Sequence, residues 1–209
     1  KSTTLAAMVD HINNEKQHHI LTIEDPIEFL HTSKKCLINQ REVHEHTHSF
    51  ADALRVSLRE DPDVILVGEM RDAETIMMAM TAAETGHLVF GTLHTTGAVK
   101  TIDRVIDALP GELREQTKAF LSMSLKAVVT QVLVKTPDGR GRRAVQEILV
   151  NNRAIAKLIT SDQTHQIPSQ MQMGAKQGMK LLNDSLADLV KNGKIEPEEA
   201  WLKAIDKDG

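Results

Sequence analysis

Four consecutive apolar residues, Val64-Ile65-Leu66-Val67, stand between Asp63 and Gly68. A run this short and this uniformly apolar reads as a strand covered on both faces, the kind found in parallel sheets flanked by helices. Leu88-Val89-Phe90 is a second such run, and His19 to Thr22 leads into a third at Ile23. Between the first two, Ala73, Ile76, Met77, Met80 and Ala83 trace one helix face that ends at Gly86, a suitable helix stop. Phe50, Ala53, Leu54 and Leu58 trace an earlier face, and Leu5, Met8, Val9 and Ile12 one near the start. This strand–helix–strand rhythm predicts an α/β fold, with a mainly parallel sheet and helices on both sides.

Downstream the pattern changes. Leu113, Phe120, Leu121 and Val128 are expected on a long helix. Gln131 to Lys135 and Ala144 to Val150 read as strands joined by the turn Thr136-Pro137-Asp138-Gly139, hence a hairpin. From Asn151 onward the chain reads as helical: Met179, Leu182, Leu186 and Leu189 alternate steps of three and four, and Pro197 suits the first position of a last helix. The expected division is an α/β core over residues 1–150 and a C-terminal helical subdomain over 151–209.

Composition excludes several classes. The 209 residues carry 25 basic and 29 acidic side chains, a formal charge of −4, so no general basic field draws the chain to nucleic acid. Four Phe, one Trp and no Tyr leave little for stacking bases. One cysteine, Cys36, excludes an internal disulfide framework and a four-thiolate zinc site. No apolar run approaches the ~18 residues of a membrane span.

Ligands of open α/β sheets bind beyond the carboxyl ends of the strands. Three polar groups fall there: Glu24-Asp25-Pro26-Ile27-Glu28, Gly68-Glu69 and Thr92-Leu93-His94-Thr95. The chain opens Lys1-Ser2-Thr3 directly before a helix, as a G-x-x-x-x-G-K-[ST] phosphate loop ends. A lysine against phosphates, a hydroxyl and a carboxylate near Mg²⁺, a carboxylate to orient water and a contact to the terminal phosphate are what nucleotide hydrolysis requires. Glu69 follows four apolar residues and a glycine, as a Walker B acid would, although Gly68 stands where Asp is usual. It can hold Mg²⁺ through water, polarise the attacking water, or both.

The alternating His44, His46 and His48 would share one face of a strand and could hold zinc, but a solvated loop is the expected reading. Met70, Met77, Met78 and Met80 read as core filler. Arg140, Arg142 and Arg143 read as a solvated turn.

Three longer segments carry a resemblance. Thr22-Ile23-Glu24-Asp25-Pro26-Ile27-Glu28-Phe29 resembles the "Asp box" of secretion and pilus ATPases. Arg59 to Asp72 resembles their Walker B region, and Thr85 to Thr96 their "His box". Gly68-Glu69-Met70-Arg71-Asp72, Phe90-Gly91-Thr92 and Asn39-Gln40-Arg41-Glu42-Val43 are similar to the type IV pilus retraction (PilT) branch. The resemblance covers essentially the whole chain. It implies a RecA-like P-loop ATPase core, a homo-hexamer, and a cytoplasmic position at the inner-membrane base of a type IV pilus. There it would meet the pilus platform protein and related motor ATPases, without nucleic acid and without membrane insertion.

The implied activity is Mg²⁺-dependent ATP hydrolysis driving pilin disassembly and twitching motility. Carried over, Lys1, Ser2 and Thr3 end the Walker A loop, with Lys1 and Ser2 on phosphate and Ser2 and Glu69 near Mg²⁺. Glu28 activates water, and His94 and His87 sense or position the terminal phosphate. Arg59 and Arg71 lie near these motifs, either reaching a neighbouring subunit's nucleotide or closing a surface salt bridge. A chain beginning within the loop is expected to bind ATP poorly and to be inactive by itself.

Where the family carries Ala-Ile-Arg-Asn-Leu-Ile, this chain has Ala154-Ile155-Ala156-Lys157-Leu158-Ile159, which keeps the apolar face and changes the polar pair. The rival readings are a pilus-assembly or type II secretion ATPase, a non-hydrolysing partner subunit of such a motor, and a DNA-translocating RecA-like motor. Many of the secretion ATPases carry a tetracysteine zinc insert, which a single cysteine does not supply.

Overall fold

The computed structural model describes residues 1–205 and residue 207. It divides into two compact units, Lys1–His94 and Thr95–Gly209.

The first unit is an α/β layer structure. Helix α1 (Ser2–Glu15) leads to β1 (His19–Glu24) and β2 (Leu37–Glu42). Then come α2 (Phe50–Ser57), β3 (Val64–Val67), α3 (Ala73–Glu84) and β4 (Leu88–Gly91). The strands form one parallel sheet in the order β2-β1-β3-β4. β3 is buried at all four positions, as an apolar run without alternation requires. One side of the sheet packs Leu21, Ile23, Ile65 and Val67 against Ala53 and Leu54 of α2 and Ala79 and Ala82 of α3. The other packs Ile20, Val64 and Leu66 against Val9 of α1 and Cys36. The Ser49 hydroxyl caps α2 by accepting from the Asp52 N–H, Asp72 caps α3 in the same way through the Thr75 N–H, and Gly86 leaves α3 at φ 104°. β4 is less buried than a both-faces-covered strand would be, because it lies at the edge of the sheet.

His44, His46 and His48 lie in the turn after β2, not in a strand. His44 takes φ +74°, and the His46 Nδ1 accepts from the Glu42 N–H at 3.0 Å. Among the described residues no group of three His, Cys, Asp or Glu is arranged to hold a metal ion.

The second unit contains α4 (Ala98–Asp107), α5 (Arg114–Ser124), the antiparallel hairpin β5 (Ala127–Lys135) and β6 (Arg142–Val150), then α6 (Arg153–Thr160), α7 (Ile167–Met173), α8 (Leu182–Lys191) and α9 (Pro197–Lys203). The expected hairpin is present, but β5 begins earlier than expected and takes in Val128. Helix α4, which buries Ala98, Ile102 and Ile106, was not singled out in the sequence. The division of compact units does not coincide with residue 150. Val134 and Val145 of the hairpin pack against Leu182 and Leu186 of α8, so the hairpin shares a core with the C-terminal helices. On α6, Ile155 and Ile159 are fully buried while Lys157 is exposed, so the apolar face survives the altered polar pair.

Candidate nucleotide-phosphate site

Strand register brings the three strand-end motifs together. Ile23, Val67 and Gly91 are aligned partners across β1, β3 and β4, so the residues that follow them, Glu24, Gly68 and Thr92, emerge side by side. Backbone bonds continue the alignment past the strands: the Gly68 N–H donates to the Ile23 carbonyl at 2.7 Å, and the Met70 N–H to that of Thr92 at 2.9 Å. The Thr92 hydroxyl donates to the Gly68 carbonyl.

Gly68 has a steric reason. A Cβ there would lie 3.1 Å from the Ile23 carbonyl oxygen and 3.2 Å from the Glu24 Cα, both backbone atoms of the neighbouring strand. The departure from a two-acid ending is thus tied to the close approach of two strand ends.

Glu69 is the hub of the polar groups. The His94 Nε2 lies 2.9 Å from Glu69 Oε1, and an Arg71 guanidinium nitrogen lies 2.6 Å from Oε2. A carboxylate only accepts, so the His94 Nε2 donates to Glu69 Oε1, and the Lys1 Nζ lies 3.4 and 3.5 Å from the two nitrogens of the same ring. Lys1 also donates to the Leu93 carbonyl at 3.1 Å. The Arg71 hydrogen bond holds the Glu69 carboxyl below its ordinary value. Partial burial opposes this, and the charges of Arg71, His94 and Lys1 add to the lowering. Glu69 is therefore ionised near neutrality.

Lys1, Ser2, Glu28, Glu69 and His94 line one cavity of about 210 Å³, with Glu24 and Asp25. That is below the ~300–1,000 Å³ of sites enclosing a whole drug-sized ligand, and suits a phosphate group rather than an entire nucleotide. The amino end of α1 faces this space, with no side-chain cap and no acid in its first turn. Helix N-termini left this way attract anions. Mg²⁺ typically takes only one or two carboxylates, completing its shell with water and substrate phosphate. The Ser2 hydroxyl and the ionised Glu69 beside a phosphate-sized space fit such an ion.

Not every expected residue joins the cluster. His87 precedes β4, at the amino edge of the sheet, and its Nδ1 lies 2.8 Å from the Ala82 carbonyl and 3.1 Å from the Thr85 hydroxyl. It closes the end of α3, and a position at the strand's amino end cannot reach groups gathered at the carboxyl ends. Arg59 likewise lies before β3, exposed and outside the cavity lining. Arg71 closes a salt bridge, within the cluster, on Glu69 itself. Thr3 is exposed and is not among the residues lining the cavity. Conversely, Gln40 and Glu42 of β2 hold the Glu28 loop from a distance in sequence. Their sequence signals are spacing by two on a strand and their place within the Asn39-Gln40-Arg41-Glu42-Val43 segment, neither of which tells what they hold.

A lysine at an open helix N-terminus, facing carboxylates at the carboxyl ends of a parallel sheet, defines a RecA-like P-loop core. The chain belongs to the family of type II/IV secretion system proteins, whose model matches residues 1–140. It is 60% identical over 204 residues to a twitching motility protein of Neisseria gonorrhoeae, covering 98% of this chain and 54% of that relative. It is 59% identical over 204 residues to the type IV pilus retraction ATPase PilT of Pseudomonas aeruginosa, covering 98% and 59%. The crystal structure of the pilus retraction motor PilT with bound ADP superimposes with a TM-score of 0.92 at 50% identity, covering 99% of this chain and 58% of that one. The chain thus spans somewhat over half the length of these relatives. Among the described residues no helix is long and apolar enough to cross a membrane.

Proposed function

We propose that this chain is the catalytic part of an ATP-hydrolysing motor that powers type IV pilus retraction. The observation that carries the reading is the convergence of Lys1, Ser2, Glu28, Glu69 and His94 on one phosphate-sized space at the carboxyl ends of a parallel sheet. The similarity at about 60% identity to a twitching motility protein and a pilus retraction ATPase supports it.

In this reading the substrate is ATP. Lys1 leaves the Leu93 carbonyl to pair with the β and γ phosphates, and the α1 N-terminus contributes its N–H groups. Bound Mg²⁺, near Ser2 and Glu69, would supply neutralisation of phosphate charge. Glu28 accepts the proton of the attacking water as general base. His94, oriented by Glu69, presents its ring to the terminal phosphate and reports its presence to Glu69. The motor works as a homo-hexamer at the cytoplasmic face of the inner membrane. There it engages the pilus platform protein and related motor ATPases.

The test is Glu28→Gln in the full-length protein. Turnover is expected to fall by roughly 10²–10⁴-fold, as for loss of a general base. Nucleotide affinity, measured by calorimetry, is expected to stay close to wild type. Wild-type turnover in that variant would remove Glu28 from the mechanism.

A further inference from the structure

Glu28 sits on a segment, residues 25–36, that forms no helix or strand. A general base on such a segment needs outside support to hold its geometry, and the structure supplies it from β2. Gln40 and Glu42 lie two residues apart on that strand, so both side chains project to one face. Parallel pairing sets Gln40 opposite Thr22 and Glu42 opposite Glu24, beside the point where the segment leaves β1. Glu42 Oε2 accepts from the Ile27 N–H at 2.9 Å, on one side of Glu28. On the other side, Gln40 Nε2 donates to the Phe29 carbonyl at 2.9 Å, and Gln40 Oε1 accepts from the His31 N–H at 2.8 Å. The same Nε2 reaches Glu24 Oε1 at 3.2 Å, an oxygen that also accepts from the Thr22 hydroxyl at 2.7 Å.

The amide's orientation follows from its partners. Two acceptors face Nε2 and one donor faces Oε1, so turning the amide over would lose every contact. The backbone is thus gripped at residue 27 and again at residues 29 and 31, with Glu28 between the grips and its carboxylate free to line the cavity.

We infer that Gln40 and Glu42 are positioning residues for Glu28, fixing the loop backbone so that its carboxylate meets the attacking water. This rests on the ATPase reading above. A misplacement of about 1 Å in a reacting group can cost ~10²-fold in rate.

The experiment uses the full-length protein with Gln40→Ala, Glu42→Ala, Glu42→Gln, Glu28→Gln and the double variant Gln40→Ala/Glu28→Gln. Gln40→Ala and Glu42→Ala are each expected to lower kcat by roughly 10- to 100-fold, with KM for ATP within about twofold of wild type. Glu42→Gln keeps an acceptor for the Ile27 N–H and is expected to restore kcat to within about threefold of wild type. The double variant is expected to be no slower than Glu28→Gln alone, because residues acting as a unit are not additive. Amide hydrogen exchange reads the same contacts without catalysis: His31 should exchange faster in Gln40→Ala and Ile27 in Glu42→Ala, with the sheet amides unchanged.

Wild-type kcat in Gln40→Ala and Glu42→Ala, beside an impaired Glu28→Gln, would overturn the positioning role and leave the ATPase reading standing. Losses that multiply in the double variant would overturn it too, as would a raised KM at constant kcat. Full turnover in Glu28→Gln would overturn both.

Discussion

The His94 imidazole donates from Nε2 to Glu69 Oε1 at 2.9 Å, and the Lys1 Nζ lies within 3.5 Å of both nitrogens of the same ring. The last residue of the first compact unit thereby joins the first residue of the chain to the acid after β3. Lys1 reaches this point because α1 lies along the sheet beside β1 and β3, with Val9 packed against Ile20, Val64 and Leu66. The same arrangement makes several quantities measurable.

The Glu69 carboxyl should titrate below its ordinary value of 4.5, with Arg71 as the first cause. A depressed folded value means that this contact stabilises the fold above the unfolded value and stops doing so as pH falls through the folded one. In Arg71→Ala the midpoint is expected to move back up toward 4.5, as followed by carboxyl carbon NMR. An unmoved midpoint would show that Arg71 does not hold the charge.

A side chain at Gly68 should cost stability. Gly68→Ala forces the β1 and β3 ends apart, because the obstructing atoms are the Ile23 carbonyl oxygen and the Glu24 Cα. The expected cost is about 1–3 kcal/mol in urea unfolding, the usual range for overpacking. Gly68→Asp, which writes in the missing acid, is expected to cost at least as much. Wild-type stability for both would refute the steric account.

Glu147 is buried and its carboxylate accepts from the Ala98 N–H at 2.6 Å and the Leu182 N–H at 3.3 Å. One side chain on β6 thus caps the starts of α4 and α8. Glu147→Ala leaves buried donors unmet, at roughly 1–3 kcal/mol of stability. Calorimetric unfolding of that variant at the wild-type temperature would argue against the cap.

On α6 the altered polar pair and the apolar face should behave differently. Ile159→Ala is expected to cost about 2–5 kcal/mol, since Ile159 is fully buried. Ala156→Arg and Lys157→Asn, which restore the residues usual in the retraction ATPases, should stay within about ±0.5 kcal/mol. A large stability change in the latter pair would mean that these positions pack against something the isolated helix face does not explain.

Most of the first unit was legible in the sequence because its signals are local. β3 announces itself as an unbroken apolar run and α3 as a three-four periodicity closed by Gly86; in the second unit α6 does so by its two isoleucines four apart. α4 carries a local signal too, with Ala98, Ile102 and Ile106 on its buried face and Lys100, Asp103, Arg104 and Asp107 between them, although it is absent from the elements expected from sequence. The boundary near residue 150 followed the change from strands to helices. Compactness follows shared burial instead, and Val134 and Val145 place the hairpin with the later helices.

The order of the polar motifs, and their place after apolar runs, fixed by itself that Glu24, Glu69 and His94 would lie at strand ends. A strand's direction follows from its place in the chain, and parallel pairing sends every carboxyl end the same way. Which residues then meet was decided by register and by packing across the sheet. His87 is seven residues from His94 and lies at the opposite edge, because a strand of four residues separates them. Gln40 and Glu42 are eleven and fifteen residues from the backbone groups of Phe29 and Ile27 that they hold. No local periodicity encodes such a pairing; it arises only when β2 lies down beside β1.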